Sequence, residues 1–177
     1  MEVFEAIRTL LAVRQYQDRA VPEATVRRLV EAGRLTGSGM NAQPWHFVVV
    51  QDRETLRRLG RLARSGPYVA QAALAIVVAV EKRSRFALSD ASRAIQSMML
   101  AAWAEGVGSN WVGFAGMDEV RALVEAPASL DVVAIVPFGY PARPVGRGQK
   151  QRKPLREIVH RERFGRPFEG APTGPDA

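Results

Sequence analysis

Apolar positions along this chain recur with two periods, and the changes of period divide it into elements. In PEATVRRLVEAGRL, residues 22–35, Val26, Leu29, Val30 and Gly33 share one face at helical spacing, with Pro22 in the favoured first-turn place. DRETLRRLGRLAR, from Asp52, repeats that pattern behind an N-cap aspartate. Phe47–Val50 is instead a run of β-formers and reads as a buried strand. LAIVVAV, residues 74–80, is apolar throughout, which calls for a strand covered on both faces.

The spacing predicts a long helix over SDASRAIQSMMLAAWAEG, capped by Ser89 or Asp90 and stopped at Gly106. Apolar residues occupy most of its faces, so it should be central and buried. NWVGF (110–114) and DVVAIVPFGYP (131–141) add two strands, with a helix over MDEVRALVE (117–125) between them. KPLREIVHRERFG, 153–165, reads as a short amphipathic helix. The expected fold class is α+β: a single central layer of four to five strands packed by helices. One domain over residues 1–166 is expected, with a disordered Gly- and Pro-rich tail over 167–177.

Composition narrows the class. At 177 residues, 47% hydrophobic and 24% charged, the chain has the make-up of a globular protein with a real core. No run is long enough to span a membrane, and the acidic start MEVFEAIRTLLAV lacks the features of a signal peptide, so a cytoplasmic protein is expected. With no Cys, disulfides, thiolate metal sites and thiol catalysis are excluded. The net charge of +7 raises the possibility of a nucleic-acid partner, but the arginines are dispersed along helix faces and no recognition motif accompanies them. The expectation is no nucleic acid and no membrane; a basic nucleic-acid-binding domain is the alternative from another class. The single dense basic cluster is RGQKQRKPLR, Arg147 to Arg156, which suits a small phosphate-bearing anion.

Familiar catalytic constellations are missing. His46 and His160 lie far apart in sequence, and there is no GxSxG, P-loop, HExxH or GxGxxG after a strand. A chain with neither nucleophile nor metal ligands either binds a partner or uses a cofactor's chemistry. SGMNAQPWHFVVV, from Ser38, places two amides and an indole directly before a core strand. That is more polarity than the start of a strand requires. Asn and Gln present paired donors and acceptors, and Gly allows close backbone approach.

This segment resembles the signature of the FMN-dependent nitroreductase family, a Pro-Ser-x-x-Asn-x-Gln-Pro-Trp stretch. Ser38, Asn41, Gln43, Pro44 and Trp45 match, with Gly37 where Pro is usual. AIRTLLAVRQYQDRAVPEATVRRLVEAGRL, MMLAAWAEGVGSNWVGF, VPFGYPA and KPLREIVHRERFG resemble further family segments in the same order, over roughly residues 3 to 165. The resemblance implies a homodimer with one FMN per chain at the interface, fed by NADH or NADPH, with hydride passing through flavin N5 to a small acceptor such as a nitro or quinone compound in a ping-pong cycle. It implies a nitroreductase-like fold with a mostly antiparallel sheet and places Ser38, Gly39, Asn41 and Gln43 among the cofactor contacts, to which Arg8 is added as a substitute. It places Arg14 at the flavin N1/O2 edge, where a cation stabilises reduced flavin. The backbones of Val112 and Gly113 are implied beside N5, and Lys150, Arg152 and Lys153 at the phosphate. The plainer alternatives are a surface ion pair for Arg14 with Asp18 or a nearby Glu, an ordinary buried strand for Trp111–Gly113, and burial of SMMLAAWA inside one subunit rather than at a dimer interface.

One departure matters. The family usually carries Arg-Arg-Ser or Arg-His-Ser, which hold the phosphate, where this chain has Leu10, Leu11 and Ala12. Arg8 and the Lys150–Lys153 cluster are the available substitutes. A diverged member with weak flavin affinity or another ligand is therefore the alternative within the same fold.

Overall fold

The computed structural model describes residues 1–113, 117–145 and 150–168. Backbone contacts group the chain into two compact units, Met1–Gly146 and Arg147–Ala177. The first holds helices α1 (Val3–Thr9), α2 (Glu23–Arg34), α3 (Arg53–Leu62), α4 (Ala87–Ala104) and α5 (Met117–Leu123), with strands β1 (Trp45–Val50), β2 (Leu74–Glu81), β3 (Gly108–Ser109) and β4 (Leu130–Gly139). The strands form one antiparallel sheet in the order β1-β2-β4-β3.

Alternation along β2 explains why its sequence is apolar at every position. Leu74, Ile76, Val78 and Val80 join α2 and α4 in one core cluster. Ala75, Val77 and Ala79 join α3, α5 and Ile135 in the other. Both faces of the sheet are thus covered, as the LAIVVAV run requires. Leu29, Ile76, Ile95, Met98 and Phe138 are fully buried in the first cluster. Each contributes roughly 1.5–3 kcal/mol relative to exposure.

Register defines two ends of the sheet. At one, Trp45 lies opposite Val80, and Val80 opposite Asp131. At the other, Val50 lies opposite Ala75, Leu74 opposite Phe138, and Phe138 opposite Ser109. The six steps from Leu74 to Val80 separate these ends by about 20 Å.

Three boundaries differ from the sequence expectation. Helix α4 begins at Ala87, not at a Ser89 or Asp90 cap. Its N-cap is Phe86, without a side-chain bond, and Asp90 is turned inward. The expected strand over 110–114 is instead the short β3 followed by a single bridge between Val112 and Ile135. Two residues suffice there because the N-terminal segment occupies the far side of β3, where Ala12 bridges Ser109; Phe114 lies outside the described residues.

The second unit contains α6 (Leu155–Ile158), shorter than the expected helix over 153–165. The chain turns back after it. His160 bridges Pro167, and the His160 and Phe164 rings lie 4.3 Å apart. Residues 169–177 of the expected tail lie outside the described residues. Among the described residues, no helix is long and apolar enough to cross a membrane, and no cluster of three His, Asp or Glu is placed to hold a metal.

Candidate functional site

The loop before β1 carries four of the expected contacts, Ser38, Gly39, Asn41 and Gln43, and its backbone is strained. Met40, Asn41 and Gln43 all have positive φ, at 51°, 55° and 48°. Asn tolerates that region, but Met and a Gln preceding Pro do not do so readily. Such residues cost of order 1–3 kcal/mol each and persist only when neighbouring structure holds them. Here the hold is visible. The Gln43 N–H donates to the Ser38 hydroxyl (2.9 Å), the Asn41 and Ala42 N–H groups close a tight turn on the Ser38 and Gly39 carbonyls (3.1 and 3.0 Å), and the Gln43 side chain donates to the Asn41 carbonyl (3.2 Å). The Glu81 N–H donates to the Pro44 carbonyl (3.0 Å) and ties the loop's end to the sheet. Asn41 and Gln43 are exposed residues of this turn, the Gln43 amide lying back along it. Trp45 is buried, stacked with Phe47 at 6.3 Å between ring centroids, as a packing wedge would be.

A second group of expected residues lies on the N-terminal segment. The Val13 N–H donates to the Ser109 carbonyl (2.9 Å), the Gln17 N–H to Tyr140 (2.8 Å) and the Ala142 N–H to Gln15 (2.9 Å), so residues 12–17 run beside β3 and the end of β4. Tyr16 is buried between them; its hydroxyl donates to the Val13 carbonyl (2.7 Å), and burial pushes its pKa up. Between these anchors Arg14 is exposed, and among the described residues it makes no ion pair with Asp18 or any Glu. Arg8 is engaged differently. Its Nε and Nη2 both donate to Glu5 at 2.9 Å. Leu10 and Leu11 are half-buried and Ala12 is exposed, so three apolar side chains stand at the expected phosphate positions.

The Val112–Gly113 pair divides. The Val112 N–H donates to the Ile135 carbonyl (2.9 Å) and its carbonyl accepts from Ile135 (2.7 Å), so the Val112 backbone is committed to the sheet. Of the two backbones implied beside N5, that of Val112 is thus already paired. Gly113 remains the backbone candidate. A Cβ there would lie 3.1 Å from both the Trp111 Nε1 and the Val133 carbonyl, so close approach needs glycine. The Trp111 Nε1 is itself buried without a partner. Asn110, which the sequence did not single out, is buried and donates to the Tyr68 hydroxyl, fixing the chain just before this pair. In the second unit, Arg152 is exposed and donates to the Gln151 carbonyl (2.9 Å), and Lys153 is exposed.

Within the first unit, the loop and Arg14 do not converge. The Ser38–Gln43 loop sits at the Trp45 end of the sheet, against the first turns of α4. Arg14 sits at the Ser109 end, where Trp103 in the last turn of α4 donates to Thr9 (2.9 Å). Asp90, which touches the loop, and Trp103 are separated by about 20 Å of helix. The amides and the cation expected at the same flavin edge therefore form two half-sites at opposite ends of the sheet. Two open surface grooves, of about 740 and 730 Å³, involve neither half-site: one lies between α2 and Val49, the other beside His46, Lys82 and Leu130. As a test of FMN fit, the loop amides and Arg14 have the donors and charge that suit a pyrimidine edge but lie apart in one chain, and the phosphate is the least provided part.

An open antiparallel sheet between two helical layers places the chain among α+β proteins, and comparison with known proteins narrows the class. The sequence model of the nitroreductase family matches residues 8–82 and 66–140. A protein of Methanothermobacter thermautotrophicus, provisionally named NADH dehydrogenase/NAD(P)H nitroreductase, is 35% identical over 154 residues, covering 82% of this chain and 81% of its own. A crystal structure from Bacteroides thetaiotaomicron with the same provisional name superposes with a TM-score of 0.85 at 29% identity, covering 92% of this chain and 98% of that one. An FMN-dependent nitroreductase of Clostridium difficile shares the fold, with a TM-score of 0.81 at 24% identity over 91% of this chain and 99% of its own. The chain belongs to the nitroreductase family.

Proposed function

We propose that the protein is a cytoplasmic, FMN-dependent NAD(P)H oxidoreductase that works as a homodimer and passes electrons to a small acceptor such as a nitro or quinone compound. The separation of the two half-sites is the observation that carries the dimer. A two-fold pair of chains brings the Ser38–Gln43 loop of one against the Arg14 segment of the other, and does so twice. Apolar surface suits that arrangement: Val3, Phe4 and Ile7 of α1 are exposed, and Met99, Leu100 and Trp103 of α4 are half-buried while Met98 and Ala102 face the core.

Bound FMN would supply the two-electron redox chemistry that links a nicotinamide donor to the acceptor. Within the chain, Asn41 and Gln43 orient the pyrimidine and ribityl groups, and Arg14 places positive charge at the pyrimidine edge. Gly113 lends backbone without side-chain bulk. Arg152, Lys153 and Lys150 are the cations proposed for the phosphate, with Arg8 available only in competition with Glu5. The apolar Leu10–Ala12 stretch favours a second reading, a family member that holds FMN weakly or takes a flavin without a phosphate.

Steady-state rates with NADH or NADPH against a quinone or nitroaromatic acceptor test the oxidoreductase reading. Parallel double-reciprocal lines are expected. No flavin-dependent oxidation of either donor by reconstituted protein would overturn it.

A further inference from the structure

The Asp90 carboxylate lies wholly inside the protein, in the first turn of α4. It does not cap its own helix: the N-cap is Phe86, and the Asp90 N–H donates to the Phe86 carbonyl (2.9 Å) as an ordinary helical bond. Both carboxylate oxygens face the Gly39 N–H instead, at 3.1 and 3.3 Å. Arg93, one turn on, pairs with the same carboxylate from a side chain that is half exposed. A buried carboxylate without such partners would be strongly unfavourable. Gly39 is also enclosed from a second direction: a Cβ on it would stand 2.7 Å from the Phe86 ring. The residue at the root of the strained turn is thus fixed on two sides by the start of α4.

We propose that Asp90 is a positioning residue that latches the Ser38–Gln43 loop in its strained conformation, so that the Asn41 and Gln43 amides stand preorganised for the ligand. Three left-handed residues in four positions would otherwise relax, and ligand binding would have to order the turn again. A charged acceptor suits the role, since its hydrogen bond to a backbone N–H is stronger than a neutral one. The identity of the ligand rests on the flavin reading above; the latch rests on the geometry of the free chain.

Hydrogen exchange of the ligand-free protein and flavin titration together test it, on Asp90→Ala and Asp90→Asn. In Asp90→Ala, exchange at residues 39–43 should accelerate by about ten- to a hundredfold, the loss expected for a charge-assisted bond. Amides of Ile76, Val78 and Val136 in the sheet should keep their protection. FMN and riboflavin affinities should both fall by a similar factor, because the loop meets the part the two ligands share. Asp90→Asn, whose amide oxygen still accepts, should lie between Ala and wild type in both measurements. If Asp90→Ala does not fold, Asp90→Asn decides alone, with about a fivefold change expected in each. Unchanged exchange at 39–43 in the folded variants would overturn the latch. Accelerated exchange with unchanged flavin affinities would overturn the positioning role. Wild type that binds neither flavin would instead defeat the flavin reading, with the exchange data still deciding the latch.

Discussion

Restoring polar side chains at positions 10 and 12 should tighten FMN and leave riboflavin unmoved. The change is Leu10→Arg with Ala12→Ser, at the two places where the missing phosphate grip is most accessible. Neither substitution disturbs a backbone bond: the Leu10 N–H donates to Ala6 (2.9 Å), and Ala12 contributes only its backbone to the bridge with Ser109. Leu10 is half-buried and Ala12 exposed, so both new side chains can reach solvent or ligand. Losing the buried half of Leu10 costs about 1 kcal/mol of fold stability, since full burial of Leu is worth roughly 1.5–3. One charge-assisted contact to a phosphate adds about 1.5–3 kcal/mol of binding, and a hydroxyl adds about 0.5–1.5. At about 1.4 kcal/mol per tenfold, FMN affinity should rise at least tenfold and up to about a thousandfold. Fluorescence quenching titrations of FMN and riboflavin, in parallel on wild type and variant, read the difference. A gain shared equally by both ligands, or no gain for FMN, would refute the placement of the phosphate beside residues 10–12.

Arg14→Leu should make bound flavin harder to reduce, because the pyrimidine edge loses its cation; a reductive titration giving the wild-type potential would remove Arg14 from that edge. Arg152→Ala should weaken FMN by about ten- to a hundredfold with riboflavin nearly unaffected, and equal losses for both would mean that Arg152 supports the fold instead. Asp52 caps α3 by accepting from the Thr55 N–H (2.7 Å), which holds its carboxyl below the ordinary range. Its contribution is therefore complete above the unfolded value and lost as pH falls through the folded one. Asp52→Ala should lower the thermal midpoint at neutral pH by an amount that shrinks as pH falls through the folded value, and a pH-independent penalty would contradict the capping role.

Periodicity carried most of the fold because both faces of the sheet are buried. LAIVVAV could be read as a doubly covered strand, and Val26, Leu29 and Gly33 as an inward helix face, from side-chain spacing alone. The start of α4 could not. Ser89 and Asp90 look like a cap by residue type, but burial of Asp90 is decided by Gly39, about fifty residues away in sequence. Positions 110–114 read as a strand by composition, yet among the described residues of that stretch the one bridge is from Val112 to Ile135 of β4. Residues 38–45 stand out as a candidate site because no strand needs two amides at its start. The sequence does not reveal that this loop and Arg14 lie at opposite ends of the sheet, since neither has a local feature that encodes position along a strand. The Glu5 grip on Arg8, at ordinary helix spacing, could have been read beforehand and weakens Arg8 as a phosphate ligand.

Native mass spectrometry of the FMN-reconstituted protein tests the two half-sites most directly, because it counts chains and flavins in the same particle. The account predicts two chains carrying two flavins, and single chains carrying none. Flavin retained on single chains, or a dimer that stays empty at tens of micromolar FMN, would contradict it.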